Sequence, residues 1–236
     1  MMTRPAKTAQ LRRHIAAQLD GLIDRDYALL GLPYYLNVGD ILIWEGEREY
    51  LGSKRFACVN AGHRYRDLET IRQDTLILLQ GGGNFGDLWR FIQEDRLSII
   101  RRYGSNPIVI LPVTCWYEDA ALLESDAEAL AQHPELTICA RDSISFDILR
   151  KHFRNRILLV PDMAFCINPA KLNRYVQGGG EGTLFLKRTD KELAAAAPYS
   201  PIEILNAADV RDWPSMESTP PCWNRYRSLC QIADSV

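Results

Sequence analysis

The chain of 236 residues has no long apolar run, no paired cysteines and almost no net charge, and each absence excludes something. No stretch reaches the ~18 apolar residues that a bilayer-crossing helix needs. A formal charge of −2 supplies no field that would gather nucleic acid or an anionic membrane. Six cysteines, Cys58, Cys115, Cys139, Cys166, Cys222 and Cys230, are scattered without a C-x-x-C pair. That spacing argues against zinc and suits a reducing compartment. Cys58, Cys139 and Cys166 lie in or beside apolar runs and read as buried thiols. The opening Met1-Met2-Thr3-Arg4-Pro5-Ala6-Lys7 leads into charged sequence, so no signal peptide is expected and the expected location is cytoplasmic. Periodicity is scarce after Tyr199, where Pro201, Pro214, Pro220 and Pro221 break up the chain.

What is present is ordinary for a globular protein with a substantial core: 47% hydrophobic and 25% charged residues. Residues 8–23 place Leu11, Ile15, Leu19, Leu22 and Ile23 at helical spacing, which predicts a flanking helix. Strands and helices then alternate. Strands are expected over 27–32, 56–60, 74–80, 107–111, 136–140 and 157–160. Helices are expected over 40–51, 88–103, 118–132 and 142–153, with Asp40 and Asp142 as caps. The alternation predicts an α/β fold, a Rossmann-like doubly wound parallel sheet with helices on both faces, over residues 1–170. Gln177 to Gly182 is glycine-rich, and residues 171–236 read as a linker and a partial second lobe. Of the four histidines, His14, His133 and His152 read as surface residues, and His63 follows a strand that carries it toward the rim.

Ligands of such sheets bind at the carboxyl ends of the strands. Five clusters fall there: Asn37-Val38-Gly39-Asp40, Gly81 to Asp87, Pro112-Val113-Thr114, Arg141-Asp142, and Pro161 to Phe165. The second is the most informative. Gln80-Gly81-Gly82-Gly83-Asn84-Phe85-Gly86-Asp87-Leu88-Trp89 sits between an apolar run and a helix-like stretch. A glycine turn at a helix start brings backbone N–H groups close to a phosphate or carboxylate, so Gly81, Gly82, Gly83 and Asn84 are candidate substrate contacts. A tight turn that merely lets helix pack on strand is the alternative. Gly81-x-Gly83-x-x-Gly86 also fits the dinucleotide fingerprint, but the next strand ends in Pro112-Val113-Thr114 without the acid that would hold a ribose, which argues against NAD.

Taken together, the Asn37–Asp40 and Gly81–Trp89 clusters, Arg141-Asp142-x-x-Ser145, Pro161-Asp162-x-Ala164-Phe165 and Arg188-x-Asp190-x-Glu192 resemble the polysaccharide pyruvyltransferase family over about residues 27–192. The resemblance implies an architecture like that of glycosyltransferases built from two Rossmann-like domains. It implies transfer of pyruvate, as a ketal, from phosphoenolpyruvate to a sugar of an exopolysaccharide or other cell-surface glycan. No cofactor is implied. The partners would be phosphoenolpyruvate and a saccharide or lipid-linked oligosaccharide, with no nucleic acid and with peripheral association to membrane-bound polysaccharide machinery. Ketal formation needs protonation of the methylene carbon, deprotonation of a sugar hydroxyl and a clamp for phosphate and carboxylate. By resemblance, Asp87 serves as acid–base or sugar-orienting group and Arg188 binds the anion. Asn37, Gly39 and Asp40 line the acceptor pocket, and Arg141 joins the substrate contacts. Asp87 reads alternatively as a helix-terminal charge, Arg188 as a solvated charge, Asp40 as a cap, and Arg141 with Asp162 as a structural ion pair. The family's Arg-Leu-His motif does not occur in this sequence. Two rival readings are an inactive remnant acting in binding or assembly and a nucleotide-sugar-binding glycosyltransferase-like enzyme.

Overall fold

The computed structural model describes residues 4–33, 37–63, 70–172, 184–186, 191 and 209–211. The chain divides into two compact units, one of Met1–Leu32 with Leu42–Cys166 and one of Pro33–Ile41 with Ile167–Val236. In order the elements are α1 (Arg4–Leu19), β1 (Tyr27–Leu30), α2 (Val38–Gly52), β2 (Cys58–Gly62), β3 (Leu76–Leu79), β4 (Gly82–Gly86) and α3 (Arg90–Arg102). They continue as β5 (Ile108–Trp116), α4 (Ala120–Ala131), β6 (Leu136–Ala140), α5 (Ser143–His152), β7 (Arg156–Leu159), a 3-10 turn (Met163–Cys166), α6 (Pro169–Leu172), β8 (Leu184–Leu186) and β9 (Asp209–Arg211).

The first unit is a seven-stranded sheet ordered β2-β1-β3-β5-β6-β7, with β4 also paired to β5, and every pairing is parallel. The central strands β1, β3 and the first half of β5 are continuous apolar runs because both faces are covered. Alternate residues point to opposite faces and so to different cores. Ala28, Leu30, Ile77, Leu79, Ile108, Ile110 and Ile138 face one cluster, shared with Leu97, Ile100, Leu130 and Leu149 of α3, α4 and α5. Tyr27, Leu29, Leu76, Leu78, Val109, Leu111 and Cys139 face the other, shared with Ile15 and Leu19 of α1 and Ile43 and Leu51 of α2. The doubly wound α/β sheet expected from the sequence is therefore present. In the second unit β8 and β9 pair in parallel. No helix among the described residues is long and apolar enough to cross a membrane.

Three local expectations are corrected. The glycine segment is not a turn feeding a helix: Gly82–Gly86 is itself a strand, and α3 starts later, at Arg90, with no side-chain cap from Trp89. The strand expected over 107–111 runs on to Trp116 despite Pro112. A proline has no N–H for the ladder, and the β5–β6 register slips between Ile110 and Val113, where it sits. Asp40 is not the cap of α2. Asn37 Oδ1 fills that role, accepting the Gly39 N–H at 2.9 Å and the Asp40 N–H at 3.4 Å, while Asp40 lies in the first turn. Asp142 does cap α5, accepting the Ser145 N–H at 2.8 Å.

Two side chains also differ from expectation. Cys58 is exposed, because β2 is the edge strand of the sheet. His133 is buried: Nδ1 accepts the Glu135 N–H and Nε2 lies 3.2 Å from the Tyr103 carbonyl.

Candidate functional site

All strands of the first unit are parallel, so their carboxyl ends form one rim. Three segments meet there: β4, the end of β5, and the residues after β6. β4 continues the line of β3 along β5, pairing Gly82 with Val113 and Gly86 with Trp116, where β3 pairs Ile77 to Leu79 with Ile108 to Ile110. Glycine is required at both ends of this run. A Cβ on Gly81 would stand 2.4 Å from the Pro112 carbonyl oxygen. Gly86 has φ +124, and a Cβ there would stand 1.8 Å from the Trp116 oxygen.

The segment is held by two buried polar groups, one from a helix on each face of the sheet, that its local sequence does not reveal. Glu47 of α2, fully buried, accepts the Gly81 N–H through Oε1 at 3.0 Å. Its signal was an acid on the apolar face of a helix, between Ile43 and Leu51. Arg96 of α3, also buried, donates from Nη2 to Asn84 Oδ1 at 2.8 Å and from Nη1 to the Asn84 carbonyl at 3.3 Å. Its guanidinium also lies 5.3 Å from the centre of the Phe85 ring. Arg96 is tied through Gln93 to Asp126, which Tyr117 and a two-pronged contact from Arg90 also satisfy. Burial and the neighbouring Asp126 push the Tyr117 hydroxyl far above its ordinary value, so it stays a donor.

Arg141 reaches the middle of the segment, at Gly83. Nε donates to Thr114 Oγ1 at 2.7 Å and Nη1 to Asp162 Oδ2 at 2.9 Å. The remaining prong, Nη2, makes no hydrogen bond among the described residues and lies 3.3 Å from where a Cβ on Gly83 would be. The absent side chain at Gly83 thus leaves space in front of an oriented guanidinium. Thr114 donates onward to Asp142 Oδ2 at 3.1 Å. The Ser145 hydroxyl does the same at 2.8 Å while accepting the Cys115 N–H. Burial pushes the Asp142 carboxyl up, but the Ser145 N–H, the two hydroxyls and the Arg141 charge outweigh it and hold it below the ordinary 3.8. Cys115 is no nucleophile here: burial, with Asp142 nearby, pushes its thiol up to about 12.

Asp87 follows directly. Its N–H donates to the Trp116 carbonyl at 3.1 Å. Its Oδ2 accepts the N–H groups of Glu118 and Asp119, both at 2.8 Å, which fixes the turn into α4. No hydrogen bond reaches Oδ1 from the described residues. Trp89 meets Phe91 edge-on at 6.4 Å, and Trp116 and Phe91 are exposed beside the rim.

The sequence-predicted residues fall in both units. Gly81, Gly82, Gly83, Asn84, Asp87 and Arg141 lie together on the first unit's rim, with Asn84's amide oxygen turned inward to Arg96. Asn37, Gly39 and Asp40 belong to the second unit, where Asn37 and Asp40 are buried. Arg188 lies outside the described residues. His63 places Nδ1 against the Leu32 carbonyl at 2.5 Å.

Comparison with known proteins places the chain in a family. Residues 37–218 match the sequence model of a family described as polysaccharide pyruvyl transferase. Pyruvyl transferase 1 of Schizosaccharomyces pombe is 31% identical over 207 residues, covering 79% of this chain and 51% of that protein. The EpsO protein of Bacillus subtilis is 30% identical over 213 residues, covering 82% and 64%. General stress protein 30 of the same organism is 28% identical over 184 residues, covering 71% and 51%. The chain thus spans about half to two thirds of the length of these curated relatives. A crystal structure of a functionally uncharacterized Klebsiella pneumoniae protein superposes with a TM-score of 0.58 at 16% identity, over 98% of this chain and 77% of that one, a likeness of fold.

Proposed function

We propose that this chain, which belongs to the polysaccharide pyruvyl transferase family, uses the rim around Arg141 and Gly83 to hold phosphoenolpyruvate and pass its pyruvyl carbon skeleton to a saccharide. The observation that carries the reading is the prong of Arg141 that makes no hydrogen bond among the described residues and faces a side-chain-free backbone at Gly83. A planar fork already fixed on two edges presents its third donor without reorganising, which suits a carboxylate or phosphate oxygen.

In the proposed reaction the methylene carbon of phosphoenolpyruvate takes a proton, and the adjacent carbon becomes electron-poor. One acceptor hydroxyl adds there and loses its proton, phosphate leaves with the C–O bond electrons, and a second hydroxyl of the same sugar closes the ketal. One phosphate is released for each ketal formed. Asp87, with one oxygen bound to the 118–119 turn and the other making no hydrogen bond among the described residues, is the carboxylate we assign to moving a proton or orienting the sugar. Fixing one oxygen holds the other in position, which is what a proton-transfer group requires.

The experiment is incubation with phosphoenolpyruvate and a panel of cell-surface glycans, following phosphate release and the mass of the glycan. The expected result is phosphate release that depends on the glycan, with a mass gain of one pyruvate less one water. Phosphate release without a glycan product, or neither with any acceptor, contradicts the proposal.

A further inference from the structure

We propose that the first unit carries a second ligand site, at the amino-terminal edge of its sheet, for a phosphorylated, hydroxyl-bearing small molecule of the sugar-phosphate class. A cavity of about 480 Å³ opens where β3, β5, β6 and β7 begin and α4 and α5 end, within the roughly 300–1,000 Å³ of small-molecule pockets. Thr137 of its lining and Arg141 at the rim lie four residues apart along the line of β6, so this cavity is about 13 Å from the Arg141 site at ~3.3 Å per residue. It cannot share a ligand with Arg141.

The floor is apolar, formed by Leu76, Ile108, Val109 and Leu136, all buried. Several groups of the polar lining make few or no hydrogen bonds among the described residues. Arg154 and Arg156 are exposed at the mouth and make no ion pair or hydrogen bond from their guanidiniums among the described residues. Arg90 and Arg141, by contrast, are each held by a carboxylate. Thr137 is 7% exposed, yet its hydroxyl has no partner among the described residues. Asn155 donates from Nδ2 to the Leu130 carbonyl at 2.9 Å, but its buried Oδ1 accepts nothing. A buried acceptor left bare is costly, so Asn155 Oδ1, beside the Thr137 hydroxyl and two exposed arginines, points to a ligand that completes it.

Their chemistry specifies it. Two unengaged guanidiniums ask for a multiply charged anion, which a phosphate supplies. Asn155 Oδ1 and the carboxylate of Glu135, also in the lining, ask for donors, which a bare phosphate at neutral pH hardly offers and sugar hydroxyls do. Thr137 serves as donor or acceptor to either part. The apolar floor accepts the C–H face of a ring. His133 closes one wall and keeps both ring nitrogens on backbone groups, so it shapes the cavity without competing for ligand. A ligand bound this far from the rim, on the same rigid strands, would act as an effector.

Calorimetric titration of the full chain with glucose 6-phosphate, glucose and inorganic phosphate tests this. Glucose 6-phosphate is expected to bind, with inorganic phosphate at least tenfold weaker and glucose silent. Arg154→Ala/Arg156→Ala, which alters only exposed side chains, should weaken glucose 6-phosphate tenfold or more. Thr137→Val, which keeps the buried shape, should weaken it about fivefold, the worth of one hydrogen bond. Arg141→Ala should leave it unchanged. Absence of binding, equal affinity for inorganic phosphate, or loss in Arg141→Ala with the double variant unaffected overturns the proposal.

Discussion

At the scale of single residues, the rim separates groups that hold from groups that are left to act. Asp87 belongs to both kinds, since one oxygen fixes the 118–119 turn and the other makes no hydrogen bond among the described residues. Asp87→Asn retains an acceptor for the turn, so its melting temperature should stay close to that of the parent. Turnover should fall by about 10²–10⁴, the worth of a positioned acid–base group; unchanged turnover would assign Asp87 to the scaffold alone. Asp142 is a pure holder. Its folded carboxyl titrates below the ordinary 3.8, so its stabilisation is complete above that value and is lost as pH falls through the lower folded one. Denaturant titrations across this acid range should show a shallower loss of stability in Asp142→Asn than in the parent, and parallel curves would contradict the assignment. Cap, apolar strands and clustered motifs were legible because each is a local pattern. Glu47, Arg96 and the inward turn of Asn84 were not, because a buried polar group is recognised by partners that lie far away in sequence, 34 residues for Glu47 and Gly81.

At the scale of elements, the glycine segment is where local reading and structure part. Glycines after an apolar strand read as a turn, and only the presence of β5 alongside makes them a strand. Gly81 and Gly86 sit where Pro112 and Trp116 carbonyls leave no room for a Cβ. Gly86→Ala therefore combines a strained positive φ with a backbone clash and should cost about 2–5 kcal/mol, read from urea unfolding with the slope unchanged. Gly21→Ala is the control, since nothing lies within 4 Å of its Cβ position and its φ is not positive. It should change stability by less than about 1 kcal/mol. Equal losses at the two positions would show that crowding against β5 does not govern this segment. β5 itself shows the limit of composition: Pro112 ends the apolar run in sequence but not the strand, because the sheet absorbs it as a register slip.

At the scale of the whole molecule, the parallel sheet of the first unit carries the proposed anion rim at its carboxyl ends and a partly polar cavity at its amino ends. The strand–helix alternation made the sheet and its carboxyl rim legible, since parallel strands necessarily gather their ends. The amino-end cavity was not legible, because Thr137, Arg154 and Asn155 carry no motif and meet only through the register of β6 and β7. The central claim is that the rim at Arg141 binds phosphoenolpyruvate. Calorimetric titration of phosphoenolpyruvate into the parent, Arg141→Lys and Arg154→Ala/Arg156→Ala tests it most directly. Lysine keeps the charge but loses the fixed fork, so Arg141→Lys should weaken binding about tenfold or more, the usual scale for a charge-assisted contact, while the double variant binds as the parent does. Binding unchanged in Arg141→Lys, or lost only in the double variant, would contradict the account.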